Sequence, residues 1–411
     1  MLSGGAQYVS TGAAAISATV SSGGFQQVTG TTSASQIAGN QSILNGGSDI
    51  LTSVLAGGFQ TIGSGGQAAL TTVSSGGSQV VSGSAYNATI LSGGTQAVGS
   101  GGVATSTIVS AGGFQQLSGG SAISASVQSG GQQIIGSGGS ASQTNILSGG
   151  IQKVSNGGRI TYSYVSQGGS QQVSAGGSAT STVVVSGGSQ IVSNGGFTTN
   201  TFVLSGGSKT VNSGAQAAGT NLRSGGFLQV QSGGVVTGLV QSSGGALSMD
   251  TKAQVTGTNE NGAFSVSGGR ATGVVVNNSG SLTVAAGDAS TATTVNSNGL
   301  ETVSGNASGS ILNVGGTQYV VSGGSATLTS VQSGGSQVIA GGGSAFSAIV
   351  AGVQTVSSGG LAMASLVSGG IQNISGSATA TVLTGGGIQN VSSGGSVSTT
   401  ELNSGGSQNV W

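Results

Sequence analysis

The phrase Gly-Gly-x-Gln-x-Val, exact or varied, returns along the whole chain at a short, nearly constant period, and this repeat restricts the fold more than any other feature. With the Gln slot as marker, it falls at residues 7, 26, 41, 60, 79, 96, 115, 133, 152, 171, 190, 209, 228, 247, 264, 282, 301, 318, 337, 354, 372, 389 and 408. The mean spacing is about 18 residues, which is the range of solenoid repeats. Two positions after every marker the side chain is apolar, from Val9, Val28, Ile43 and Ile62 onward to Val410, with Met249 the least regular. A period this short, held from end to end, specifies one supersecondary unit stacked many times.

Composition removes the competing explanations. Gly is 86 of 411 residues, but Gly does not recur at every third position and Pro is absent, so a collagen helix is excluded. A disordered Gly/Ser linker would not keep an apolar residue at the same slot of every repeat. Six basic and six acidic residues give a net charge of zero, with no drive toward nucleic acid or anionic lipid. The absence of Cys and His leaves neither a disulfide frame nor a thiolate or imidazole metal site, and no cofactor is expected. No apolar run approaches the roughly 20 residues of a membrane helix. Met1-Leu2-Ser3-Gly4 opens into the repeat without the basic and apolar regions of a signal peptide, which leaves either a removed export signal or an intracellular protein.

Each repeat reads as two halves, as in Gly93–Val109, where Gly-Gly precedes each short alternating run. Gln96 and Val98 are two apart and share one face of a strand. Ala104, Thr107 and Val109 are the recurrent slots of the second half. Gly-Gly supplies the positive-φ corners, and at this frequency it would break any helix. The prediction is an all-β, right-handed parallel β-helix of about 22 short rungs, with strands pairing rung to rung and inward Val, Ile and Ala forming a thin core. It is expected to be one continuous solenoid over 1–411: regular repeats in 1–208, degenerate charged repeats in 209–301 and regular repeats again in 302–411.

The marker is Gln at Gln7, Gln26, Gln41, Gln60, Gln79, Gln96, Gln115, Gln133, Gln152, Gln171, Gln190, Gln318, Gln337, Gln354, Gln372, Gln389 and Gln408. On the same strand face as the apolar slot, these side chains read as an internal amide ladder, each donating to one neighbouring rung and accepting from the other. The alternative is a ligand-binding stripe of amides. Six consecutive markers depart from Gln: Lys209, Leu228, Leu247, Phe264, Leu282 and Glu301. Half of all the charges lie within 246–301. If a contact site interrupts the regular repeat, Asp250, Lys252, Glu260, Phe264 and Arg270 are its candidates; otherwise these are degenerate rungs with a longer loop.

Catalytic patterns are missing. Polysaccharide-cleaving enzymes need paired carboxylates, and the six acids here are mostly several rungs apart. Calcium-ladder solenoids need a regularly placed Asp in the turn, where this chain has Ser, Thr and Gln. Gly63-Ser64-Gly65-Gly66 resembles a phosphate loop but lacks the following Lys-Ser/Thr. The chain is expected not to be an enzyme.

Segments such as SSGGSQVVSG (74–83), SGGIQKVSNGG (148–158) and SGGSQNV (404–410) closely resemble the AIDA-type passenger repeat of self-associating bacterial autotransporter adhesins. The resemblance covers nearly the whole chain and is weakest over 246–301. It implies a right-handed parallel β-helix on the bacterial surface that mediates cell aggregation, biofilm formation or adhesion, with cell-surface glycans or receptors as further partners. Some members carry O-linked heptoses on Ser, and the corresponding positions here include Ser75, Ser92 and Ser148. The signal peptide and translocator barrel of that family are not part of this sequence.

Both ends of the sequence are in repeat phase, Ala6-Gln7 at one and Gln408-Asn409-Val410-Trp411 at the other, without an evident cap. Two non-catalytic expectations follow. One is a surface adhesin, not itself membrane-spanning, that associates laterally with its own copies. The other is a structural filament built by head-to-tail stacking, with Trp411 at the junction. Ice or glycan binding by a flat Ser/Thr face is a weaker third reading.

Overall fold

The computed structural model describes residues 3–411; Met1 and Leu2, where the reading of a missing leader begins, lie outside them. Among the described residues the chain is all strand and turn, with 65 short strands and no helix. A typical rung has strands Thr95–Val98, Val103–Thr105 and Ile108–Val109. The pleat of the first buries Gln96 and Val98 and turns Thr95 and Ala97 outward; the other two bury Ala104 and Val109. Successive rungs pair in parallel with like residues in register, as in Gln96↔Gln115 and Val98↔Leu117. The expected all-β parallel solenoid is therefore the architecture, and its pairing is consistent with a right-handed coil.

The two glycines of a corner have different roles. Gly101 has φ +78, a conformation that suits glycine, whereas a Cβ on Gly102 would stand 2.1 Å from the Val81 carbonyl oxygen of the preceding rung. The sequence reading gave both glycines the positive-φ role. In fact the second is required because backbones of adjacent rungs approach too closely for any side chain. A third corner carries no sequence signature: Ser106 (φ 56), Leu70 (φ 56) and Tyr162 (φ 57) turn the chain in the left-handed region. Repeat length is absorbed at the corners. The 17-residue interval between Gln79 and Gln96 replaces a Gly-Gly corner by the tighter Ser82-Gly83 turn. The 15-residue interval between Gln26 and Gln41 makes this replacement twice, at Thr29-Gly30 and Ala38-Gly39.

Packing divides the chain into two compact units. The first comprises residues up to Phe202 with 206–209 and 214–216; the second comprises 203–205, 210–213 and 217–411. In the first, the Gln-bearing strands run in unbroken parallel register from Ala6–Val9 to Ser189–Val192. Its apolar core consists of stacked like slots, for example Val54, Val73 and Ile90 with Ala88 packed beside them, or Ile146, Val165 and Val184.

The second unit repeats this plan, with columns such as Val295, Leu312, Val331, Val350, Val367 and Leu383, but interrupts it once. Gln254–Asn259 and Gly262–Ser267 form an antiparallel hairpin, and Arg270–Thr272 pairs antiparallel with its second strand. The expectation that every strand pairs in parallel is thus corrected here, as is the assignment of Phe264 to the marker column. Phe264 lies opposite Gly257 inside the hairpin, and the marker column passes from Met249 directly to Leu282. Strand Ala246–Asp250 accommodates the skip by a two-residue shift: Leu247 sits over Leu228, but Met249, not Leu247, sits under Leu282. The hairpin therefore adds a strand to one sheet of the solenoid without adding one to the marker sheet.

Candidate functional surface and the polar interior

The marker glutamines of the first unit form a directional chain. Gln26 Nε2 donates to Gln7 Oε1 at 2.6 Å, and the same bond, at 2.6–2.9 Å, links each later Gln to the one before it up to Gln190. From Gln26 to Gln190 these side chains are wholly buried. The second unit has the same arrangement, from Gln318 to Gln408 at 2.7–2.8 Å. A hydroxyl from the same rung often supplies a further donor, as Thr107 Oγ1 does to Gln96 Oε1 at 3.3 Å and Thr182 Oγ1 to Gln171 Oε1 at 3.1 Å.

Polarity explains which residues replace Gln where the ladders stop. Every amide donates toward the N-terminal side, so a ladder offers acceptor oxygens at its C-terminal end and N–H donors at its N-terminal end. After Gln190 the marker is Lys209, which can only donate when charged, and before Gln318 it is Glu301, which can only accept when ionised. Gln318 Nε2 donates to Glu301 Oε2 at 2.8 Å, and Ser290 Oγ donates to Oε1 at 2.8 Å. Lys209 Nζ donates to Thr198 Oγ1 at 2.9 Å and Thr201 Oγ1 at 2.8 Å. Lys209 and Glu301 are both fully buried. Desolvation pulls the Lys209 ammonium down to about 7.

Asp49 is a third buried charge-bearing group. It occupies the inward slot that is Ala68, Ala104 and Ala122 in other rungs. Its Oδ1 accepts from Thr32 Oγ1 (2.6 Å), Thr52 Oγ1 (2.7 Å) and Gln41 Nε2 (3.4 Å), and its Oδ2 from Gln60 Nε2 (2.8 Å). Burial raises its pKa above the usual carboxylate value, against the lowering effect of these hydrogen bonds. Sequence reading missed Asp49 as a buried group. The usable signal was its position eight residues after Gln41, a slot that holds Ala after Gln60 and Gln96.

The candidates of the irregular stretch do not converge on one point. Asp250 Oδ1 accepts from the backbone N–H groups of Lys252 (2.9 Å) and Ala253 (3.1 Å) and so fixes a turn. Lys252 Nζ lies 3.6 Å from Asp288 Oδ2, which also accepts from Thr251 Oγ1 at 2.6 Å. Glu260, at the hairpin tip, accepts from Asn296 Nδ2 at 3.0 Å. Phe264 is buried, and Arg270 is exposed at the hairpin's other end, opposite Ser267. An open depression of about 270 Å³ lies beside Asp250, lined also by Gln229, Gln231, Ser248 and Thr283.

Elsewhere the outward surface mixes neutral hydroxyl and amide side chains with exposed apolar ones such as Leu51, Phe59 and Val314. Ser75, Ser92 and Ser148 are exposed at corners that stack through backbone bonds such as Gly76 N–H to Gly93 O at 3.0 Å. Asn373, Asn390 and Asn409 form an outward amide ladder at 2.9 Å per step. Trp411 is exposed, and its N–H donates to Val391 O at 3.0 Å.

No curated protein matches the chain. Among solved structures it is similar to a TibC-catalysed, hyper-glycosylated fragment of TibA, with 29% identity over 98% of this chain and 99% of that one, at a TM-score of 0.29. Residues 256–316 match the AIDA family model, described as adhesin of bacterial autotransporter system, probable stalk. That match falls largely within 246–301, the stretch in which the repeat pattern is weakest. Within this parallel β-solenoid, residues 256–316 are the segment similar to the AIDA adhesin stalk.

Proposed function

We propose that the chain is the passenger stalk of a bacterial surface adhesin and that it acts without catalysis, by associating with copies of itself and so aggregating cells. The adhesin-stalk match over 256–316 carries this reading. The side-chain chemistry supports it. The ladders, Asp49, Lys209 and Glu301 are all consumed inside the solenoid, and what faces outward is a largely uncharged surface in which Ser, Thr, Asn and Gln recur among apolar side chains such as Phe59 and Ile123, suited to many weak, registered contacts. Lateral association of two such arrays gains by multiplicity what no single hydroxyl pair provides.

Display of the chain on a bacterium that lacks aggregation factors of its own tests the proposal. Cells carrying it should settle from suspension and form biofilm faster than cells carrying the export machinery alone. Equal settling rates, together with monomeric purified chain at high concentration, would overturn self-association.

A further inference from the structure

One rung of the first unit is unlike the others on its outer surface. The charged residues of that unit are Asp49, Lys153, Arg159 and Lys209. Asp49 and Lys209 are buried, whereas Lys153 and Arg159 are exposed on a single rung. The described part of this unit has no exposed carboxylate to neutralise them.

Both cations border depressions. Lys153 stands in register between Ile134 and Gln172, with Ile191 one rung further. These four residues, with the Ser174 and Ser193 hydroxyls, line a hollow of about 500 Å³. Across the Asn156-Gly157 corner, Arg159 stands in register with Ser178 and Phe197, and this row borders a second hollow of about 320 Å³. Aliphatic and aromatic surface beside hydroxyls and amides, with two unneutralised cations, suits a chain of sugar rings bearing carboxylate or sulfate groups.

We propose that the two hollows bordered by Lys153 and Arg159, one on each side of the Asn156-Gly157 corner, form a binding site for an acidic polysaccharide. The anionic groups meet Lys153 and Arg159, and a sugar face lies against the Phe197 ring. The adhesin reading supplies the purpose of this contact, while binding by the purified chain is measured independently of it.

The test is titration of the full chain with heparin oligosaccharides, polygalacturonate oligomers and neutral dextran at low and at 0.3 M salt. The expected result is saturable binding of at least one acidic glycan, none of dextran, and weakening with salt. K153Q/R159Q should weaken binding about tenfold or more, and Phe197→Ala severalfold. Lys252→Gln, which removes an exposed cation from the second unit, should leave it unchanged. Preference for heparin assigns sulfate recognition, and preference for polygalacturonate assigns carboxylate recognition. No binding of either acidic glycan, or an unchanged affinity in K153Q/R159Q with its strand content intact, overturns the site. Cell aggregation that persists in K153Q/R159Q after glycan binding is lost leaves self-association standing; glycan binding without aggregation removes self-association and keeps the site.

Discussion

Gln60 Nε2 serves two acceptors, Gln41 Oε1 at 2.7 Å and Asp49 Oδ2 at 2.8 Å, so the carboxylate of one rung is tied into the amide ladder eleven residues on. The same spacing recurs where the marker is charged. Thr198 accepts from Lys209, and Ser290 donates to Glu301, each pair eleven residues apart. A polar residue in the usual alanine slot thus accompanies an unusual demand in the next marker.

Asp49 should make part of the stability depend on pH in the direction opposite to an ordinary surface carboxylate. Its folded pKa lies above the unfolded value, so between 3.8 and the folded value the native state holds the extra proton. Stability from this group is therefore present at low pH and lost as pH rises through that window. Asp49→Asn, neutral at every pH, should remove this slope, so that the variant gains on the parent as pH rises through the window. Urea melts of both proteins from pH 3 to 8 check this; parallel curves would refute it.

Lys209 gives the complementary case. Its folded pKa of about 7 lies below the 10.5 of the free side chain, so between these values the unfolded chain binds the extra proton. Stability should rise with pH from about 7 to 10.5 as the cost of burying the ammonium disappears. Lys209→Gln, which places the usual ladder residue at this slot, should flatten the rise and be more stable than the parent below pH 7. A variant whose melting temperature tracks the parent across pH 6–10 would contradict this account of Lys209.

The repeat period, the inward slots and the Gln ladder were legible because each is a regular consequence of one spacing: Gln96 and Val98 share a strand face, and the same pair recurs rung after rung. What escaped depends on exceptions. Asp49 was one acid among six until the alanine column was aligned. Lys209 and Glu301 looked like degeneration because their meaning lies in the direction of the amide bonds, which no spacing encodes. Phe264 occupied a marker position by count alone, since a hairpin reverses the chain without altering the period. The corner at Leu70 was invisible because its residue is not glycine.

Gln115→Leu tests the ladder away from any charge. Gln115 donates to Gln96 Oε1 and accepts from Gln133 Nε2, both at 2.6 Å. Leucine would fill the space but leave the buried Gln133 Nε2 donor without its acceptor and Gln96 Oε1 with the Thr107 hydroxyl alone, at a cost of roughly 1–3 kcal/mol. Because a solenoid is stabilised through neighbouring rungs, the loss should appear as faster amide exchange centred on rungs 96–133 before global unfolding. Uniform protection in the variant and the parent would mean that the amide bonds contribute little.

The glycine pair separates conformation from proximity. Gly101→Ala keeps open space around its Cβ but must hold φ +78, at a cost of roughly 1–2 kcal/mol. Gly102→Ala brings its Cβ to 2.1 Å from the Val81 carbonyl oxygen, and only separation of two rungs relieves that clash. The second substitution should therefore be the more damaging, with loss of protection in both rungs. In the opposite direction, Leu328 holds φ 54 at a corner while 63% exposed, so it is strained and buries little. Gly309 already fills the equivalent corner one rung earlier with φ 66. Leu328→Gly should gain roughly 0.5 kcal/mol, the released strain exceeding the entropy that glycine adds to the unfolded chain. Denaturant midpoints of the three variants give the expected order L328G, then G101A, then G102A; a milder effect of G102A than of G101A would show that the rungs are not packed as closely as the Val81 carbonyl requires.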